Sequence, residues 1–178
     1  MVRFPLLRLG VPVALVVSSL AGCAGLESPP AQAHATLAPT RGQAVQGTVR
    51  FVQHGDHVVV TAAVSGLKPG QEHGFHVHEK GDCSSGDGLS TGGHFNPTGA
   101  PHGPQGAAHH AGDLPALKAD ARGQAEVTFH LDGVTLKEGA PTSIVGRGLI
   151  VHAGPDDYAT QPTGNSGARV ACGVIQAG

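Results

Sequence analysis

Tryptophan is missing from this chain of 178 residues, tyrosine occurs once, and the only methionine is the first residue. Charged side chains make up 13% of the residues and the formal net charge is -2, so there is neither a basic surface for nucleic acid nor an acidic solubilising tail. Amphipathic helical periodicity of useful length is also missing, and no segment repeats, which argues against a helical bundle and against a solenoid. What is abundant is Gly (28) and Pro (13), the composition of short strands joined by many turns. Histidine is the other surplus, its 12 copies exceeding the 11 of Lys and Arg together. Most lie between His73 and His152, and neutral imidazole is the commonest metal ligand. A chain of this length suits one domain with its own core.

A long apolar run is missing too. Arg3 and Arg8 flank the start of a stretch, Gly10 to Val17, that is interrupted by Pro12 and too short to span a bilayer, as befits an export signal. Leu20-Ala21-Gly22-Cys23 resembles the bacterial lipobox, in which the signal is removed and the cysteine becomes an acylated N-terminus. That resemblance implies a signal peptide over 1–22 and lipidation of Cys23. With Ala24 next, it also implies a periplasmic protein held to the outer membrane, where several acyl chains anchor more firmly than one. Residues 23–34 read as a flexible tether and 35–178 as the folded domain. With Cys23 assigned to lipid, Cys83 and Cys172 remain, and an oxidising compartment leads us to expect a disulfide between them.

Strand signals recur along the domain at Ala35–Pro39, Gln46–Gln53, His57–Ser65, Glu72–His78, Leu114–Ala119, Ala125–Leu131, Ser143–Val151 and Ala168–Ile175. Between Gly81 and Gly112 the pattern gives way to Gly, Pro, His and Ser. A loop that long inside a compact domain is functional or fastened down. Eight short antiparallel strands with two long loops predict an all-β Greek-key sandwich or flattened barrel.

His76 and His78 are two apart on a predicted strand, so both side chains point to one face and can share a metal. His94, His102, His110 and Asp113 crowd the long loop, and His152 ends the apolar strand Gly148–Val151.

In order along the chain, Gly74-Phe-His-Val-His-Glu79, Gly93-His-Phe-Asn-Pro97, His102-Gly-Pro104, His110-Ala-Gly-Asp-Leu114, Val151-His152 and Gly167-Ala-Arg-Val-Ala-Cys-Gly173 resemble the copper,zinc superoxide dismutase family. The likeness covers about 35–175. It implies a Greek-key β-barrel in which copper is held by His76, His78, His94 and His152 and zinc by His94, His102, His110 and Asp113. His94 would then be shared, bridging the two ions as an imidazolate. It also implies that Arg169 attracts and orients the superoxide anion, and that Asp156 links ligands of the two ions. The matching activity converts superoxide to oxygen and hydrogen peroxide. A metal-buffering relative without catalysis would be expected to have lost a ligand or the arginine, and neither is lost here.

Some features depart from the family pattern. His109 adjoins His110 and could replace it as a zinc ligand, although only His110 keeps the three-residue step to Asp113. His34, His54, His57, His73 and His130 match no ligand position and read as exposed or satisfied side chains. The loop after His152 is short, so no steering lysine can be carried over to it. Ile144–Arg147 and Gly173–Ile175 resemble a dimer surface, which makes a homodimer a possible partner state.

Overall fold

The computed structural model describes residues 1–2 and 29–178. The export signal and Cys23 lie outside the described residues. Strand β1 is Gln32–Pro39, and it begins three residues ahead of the expected domain edge. Ala33, assigned from sequence to the tether, is buried and pairs with Phe51 on one side and Ala177 on the other.

The next two strands, β2 (Gln46–His54) and β3 (His57–Ser65), form a hairpin in perfect alternation. Val49 and Phe51 from β2 and Val58, Val60, Ala62 and Val64 from β3 point inward. After them come β4 (Glu72–His73), β5 (Phe75–His78), β6 (Leu117–Lys118), β7 (Ala125–Leu131), β8 (Gly148–His152), β9 (Arg169–Val174) and β10 (Gln176–Ala177). The main sheet runs β5-β8-β9-β1-β2-β3-β7 with β10 against β1, while β4 and β6 form a separate ribbon. All these strand pairs are antiparallel, and the sheet curls into a half-barrel around Leu37, Phe51, Phe75, Leu131, Leu149 and Ile175. Cutting Phe51 or Phe75 back to Ala would cost about 3–5 kcal/mol, because a packed interior does not close over so large a hole.

Three sequence-based strands differ from the structure. The run Glu72–His78 breaks at Gly74, whose N–H donates to Gly154 O and whose carbonyl accepts from His152 N–H, both at 2.8 Å. A side chain at Gly74 would collide with Ser166. Of Leu114–Ala119 only Leu117–Lys118 pairs, because its partner β4 is itself two residues long. The run Ser143–Val151 is strand only from Gly148. Ahead of it Ile144 fills the core from a loop, and that loop is locked by Gly146 N–H to Ile175 O and Ile175 N–H to Arg147 O.

Candidate metal centre

Both faces of β5 and β8 are buried, and this places the site. One face packs on the core. The other is covered by the long loops, which are laid onto β5 through backbone hydrogen bonds: Val77 N–H to Gly112 O, Phe95 N–H to Val77 O, and Gly112 N–H to Phe95 O. Isolated bridges set Asp113 opposite His76 and His94 opposite His78. Histidines from β5, the end of β8 and the loop thereby meet in a dry region. His76, His78, His94, His102, His110, His152, Asp113 and Asp156 are all buried.

Two groups form. In the first, one nitrogen from each of His76, His78, His94 and His152 lies within 4.8 Å of the others, and in the second one nitrogen from each of His94, His102 and His110 and a carboxylate oxygen of Asp113 do the same. His94 belongs to both. The structure thus brings together all seven ligands inferred from sequence. It also separates the adjacent histidines: His110 enters the cluster, while His109 stays outside it, half-buried, and donates from Nδ1 to Ala107 O.

In four of the rings the second nitrogen sets the orientation. His76 Nε2 donates to Asp156 Oδ2 at 2.7 Å, His78 Nδ1 to Gly92 O at 2.9 Å, and His152 Nδ1 to Gly167 O at 3.1 Å. His102 Nε2 donates to Asp156 Oδ1 at 2.9 Å, so Asp156 joins a ring of one cluster to a ring of the other. Gly164 makes room for this: it holds a positive φ of 66°, and a side chain there would overlap Asp156 and His102.

What is left is one buried nitrogen per ring. Among the described residues, His76 Nδ1, His78 Nε2, His94 Nε2, His102 Nδ1, His110 Nδ1 and His152 Nε2 have no hydrogen-bond partner. Six orphaned acceptors in one dry place would be a heavy desolvation cost unless something binds them. Around Asp113, whose Oδ2 also accepts from His110 N–H, the spacing suits zinc. His94 Nδ1 is 2.8 Å from Oδ1, His102 Nδ1 is 3.0 Å from Oδ2 without hydrogen-bond geometry, and His110 Nδ1 is 3.4 Å from Oδ1. A tetrahedron with bonds of about 2.0 Å has edges of about 3.3 Å.

The electrostatics favour neutral rings. Burial lowers the pKa of His76 to about 4, of His78 to about 2 and of His152 to about 3, outweighing the hydrogen bonds that oppose it. Burial also lowers His110. In His102 burial acts in the same direction but Asp156 and Asp113 outweigh it, and the net shift is upward. Burial would raise both carboxylates, yet Asp113 is held low by His94 and the His110 N–H, and Asp156 well below the carboxylate range by His76, Tyr158 N–H and His102.

Arg169 opens β9 directly opposite His152, at an irregularity in the register. Its guanidinium donates from Nη1 to Gly88 O and Thr91 Oγ1 and from Nη2 to Gly92 O, at 2.7–2.8 Å. Cys83 and Cys172 are bonded, with Cα atoms 5.9 Å apart, so the disulfide staples the loop that carries those carbonyls to β9.

Three supporting residues were not foreseen. His73, expected to be exposed or satisfied, is buried, and its Nδ1 donates to His152 O at 2.8 Å, holding the end of β8. Gln161 accepts from His102 N–H at 2.9 Å and donates to His102 O at 2.8 Å. Gln105 donates to Asp113 O. None belongs to a recognisable motif, since each acts through a backbone group that only the fold brings near. Conversely, Gly88-Leu-Ser-Thr-Gly92 spells a Gly-x-Ser-x-Gly elbow, but Leu89–Thr91 is a 3-10 turn and the Ser90 hydroxyl donates to Asp82 O, so no hydrolase nucleophile stands there.

An all-β half-barrel that sets two four-ligand groups around one common imidazole defines a binuclear metalloprotein. A sequence model of the copper/zinc superoxide dismutase family matches residues 45–175, and the chain belongs to that family. It is 40% identical to superoxide dismutase [Cu-Zn] 2 of Aquifex aeolicus over 151 residues, covering 82% of this chain and 86% of that one. Superoxide dismutase [Cu-Zn] 2 of Brassica juncea is 47% identical over 141 residues, covering 75% and 90%. Among solved structures, a SOD-like protein from Bacillus subtilis matches with a TM-score of 0.72 at 38% identity, covering 79% of this chain and 96% of that one. The family's cofactors are copper and zinc, and its activity is the dismutation of superoxide.

Proposed function

We propose that His76, His78, His94 and His152 hold copper, that His94, His102, His110 and Asp113 hold zinc, and that the chain removes superoxide in the periplasm. The observation that carries the assignment is the division of the rings: in His76, His78, His102 and His152 one nitrogen is tied to the protein, in His94 it is turned to the second cluster, and in all five the other is orphaned and faces in. When bound, copper supplies a one-electron couple suited to imidazole donors, and zinc supplies a fixed positive charge.

Two superoxide anions and two protons give one oxygen and one hydrogen peroxide. His94 is the residue placed to handle protons, because its Nδ1 faces Asp113 while its Nε2 faces the other three histidines. Nε2 takes up a proton in one half of the cycle and yields it to the reduced anion in the other. Arg169 binds the substrate. Three of its five N–H groups are committed to Gly88, Thr91 and Gly92, which leaves two for an anion beside His152. Its charge is permanent and draws an anion inward over about a Debye length, ~8 Å at physiological salt.

The Cys83–Cys172 disulfide and the N-terminal sequence support export, with Cys23 as the lipid-bearing residue. The mass of the mature N-terminus tests the anchor, and an unmodified start at any residue other than Cys23 contradicts it. For the chemistry, metal content and superoxide decay are measured on the wild type, Arg169→Ala and His94→Ala. Arg169→Ala should keep both metals and lose about tenfold or more in rate, the scale of deleting a fixed donor at the reacting anion. Wild-type activity in His94→Ala would end the shared-ring reading.

A further inference from the structure

Ligand-type side chains outside the binuclear centre gather at the tip of the β2–β3 hairpin. His54 ends β2 and His57 opens β3, and the two are directly opposite in the register, closing the turn made by Gly55 and Asp56. On the neighbouring strand β7, His130 pairs with Val59, two residues along from His57, so strand alternation puts His57 and His130 on the same outer face. There the rings meet. His57 stacks on His130 with ring centroids 4.7 Å apart and lies 6.1 Å from His54, and Asp56 Oδ1 stands 3.3 Å from His57 Nδ1.

None of the three imidazoles is used by the core, since His54 and His130 are exposed and His57 is half-buried. Their strands lie at the other end of the sheet order from β5 and β8, which carry the buried ligands His76, His78 and His152. Exposed rings on adjacent strands can turn about their side-chain torsions without disturbing the barrel. His57 and His130 are diagonal cross-strand neighbours, and at that separation of about 7–8 Å two long side chains still reach one another and can close on one ion.

We propose that this tip is a second transition-metal site, independent of the binuclear centre, in which His57 and His130 chelate a borderline divalent ion and His54 and Asp56 complete the donor set. Imidazole nitrogen with one carboxylate suits Cu(II) and Zn(II), and Cu(II) binds the more tightly in the general order of divalent affinities. The site is open to solvent, so it exchanges its ion readily, in contrast to the dry centre. The protein would therefore carry on its surface a reversible store of the same metals that its buried site requires.

The test uses protein already loaded with one copper and one zinc, titrated with further Cu(II) alone in a weakly coordinating buffer. Calorimetry and electron paramagnetic resonance should show one additional Cu(II) with nitrogen hyperfine structure, and paramagnetic broadening of amide resonances should centre on residues 54–59 and 128–132. His57→Ala and His130→Ala should each weaken that binding by about tenfold or more, since even the loss of a group supporting a ligand costs that much. Dismutase activity should stay at the wild-type level in both variants. Binding that is unchanged in both, or broadening centred on His34, His109 or the N-terminus, would overturn the proposal. So would the absence of any third ion at submillimolar Cu(II).

Discussion

The side-chain amide of Gln161 grips the backbone of His102 at both ends, accepting from its N–H and donating to its carbonyl, as a partner strand would. This ties the loop after β8 to one of the zinc-type ligands. Gln161→Ala should weaken zinc binding by about tenfold to a hundredfold while the copper spectrum is retained. Gln161→Glu keeps the acceptor and should fall between the two. Competition against a chromophoric chelator measures this, and unchanged zinc affinity in Gln161→Ala would show the clamp to be without consequence.

The buried rings make the metal-free protein sensitive to acid. His76, His78 and His152 titrate near 4, 2 and 3 in the folded chain against about 6.5 when unfolded. Below pH 6.5 the unfolded state therefore binds protons that the folded state refuses, and stability must fall as pH drops from about 7 towards 4. His102, whose pKa is raised, opposes this with a single group. Urea midpoints of the metal-free protein should decrease steadily over that window, and a midpoint that stayed flat or rose would contradict the account.

The disulfide should matter to copper as well as to stability. It closes a sequence separation of 89 residues, which the chain-entropy model values at about 4–5 kcal/mol. The stapled loop also supplies Gly92 O to both His78 and Arg169. A Cys83→Ala/Cys172→Ala variant should unfold at lower denaturant and bind copper more weakly than the wild type. Loss of stability with copper affinity intact would separate the staple from the site.

Histidine spacing made the centre legible in the sequence. His76 and His78 share a face because strands alternate, and the step from His110 to Asp113 distinguishes His110 from His109. Strand existence was legible for β2, β3 and β7, where alternation is clean. It failed at Ser143–Arg147, because an apolar run is equally consistent with a loop packed on the core, and at Gly74, where one glycine splits a strand. Gln161, Gln105 and His73 could not be read because they act on backbone atoms of residues distant in sequence, and such contacts leave no periodicity. The early start of β1 was hidden by its Ala-rich composition, which reads as a tether until Ala33 is seen against Phe51.

The central claim is that one imidazole, His94, joins the two metal sites. The most direct test is to fill both sites with Cu(II) and record the electron paramagnetic resonance spectrum. A ring bound through both nitrogens carries spin coupling between the ions, so the signal should lose most of its intensity at low temperature and recover it in His94→Ala. Two full, independent Cu(II) signals in the wild type would contradict the account.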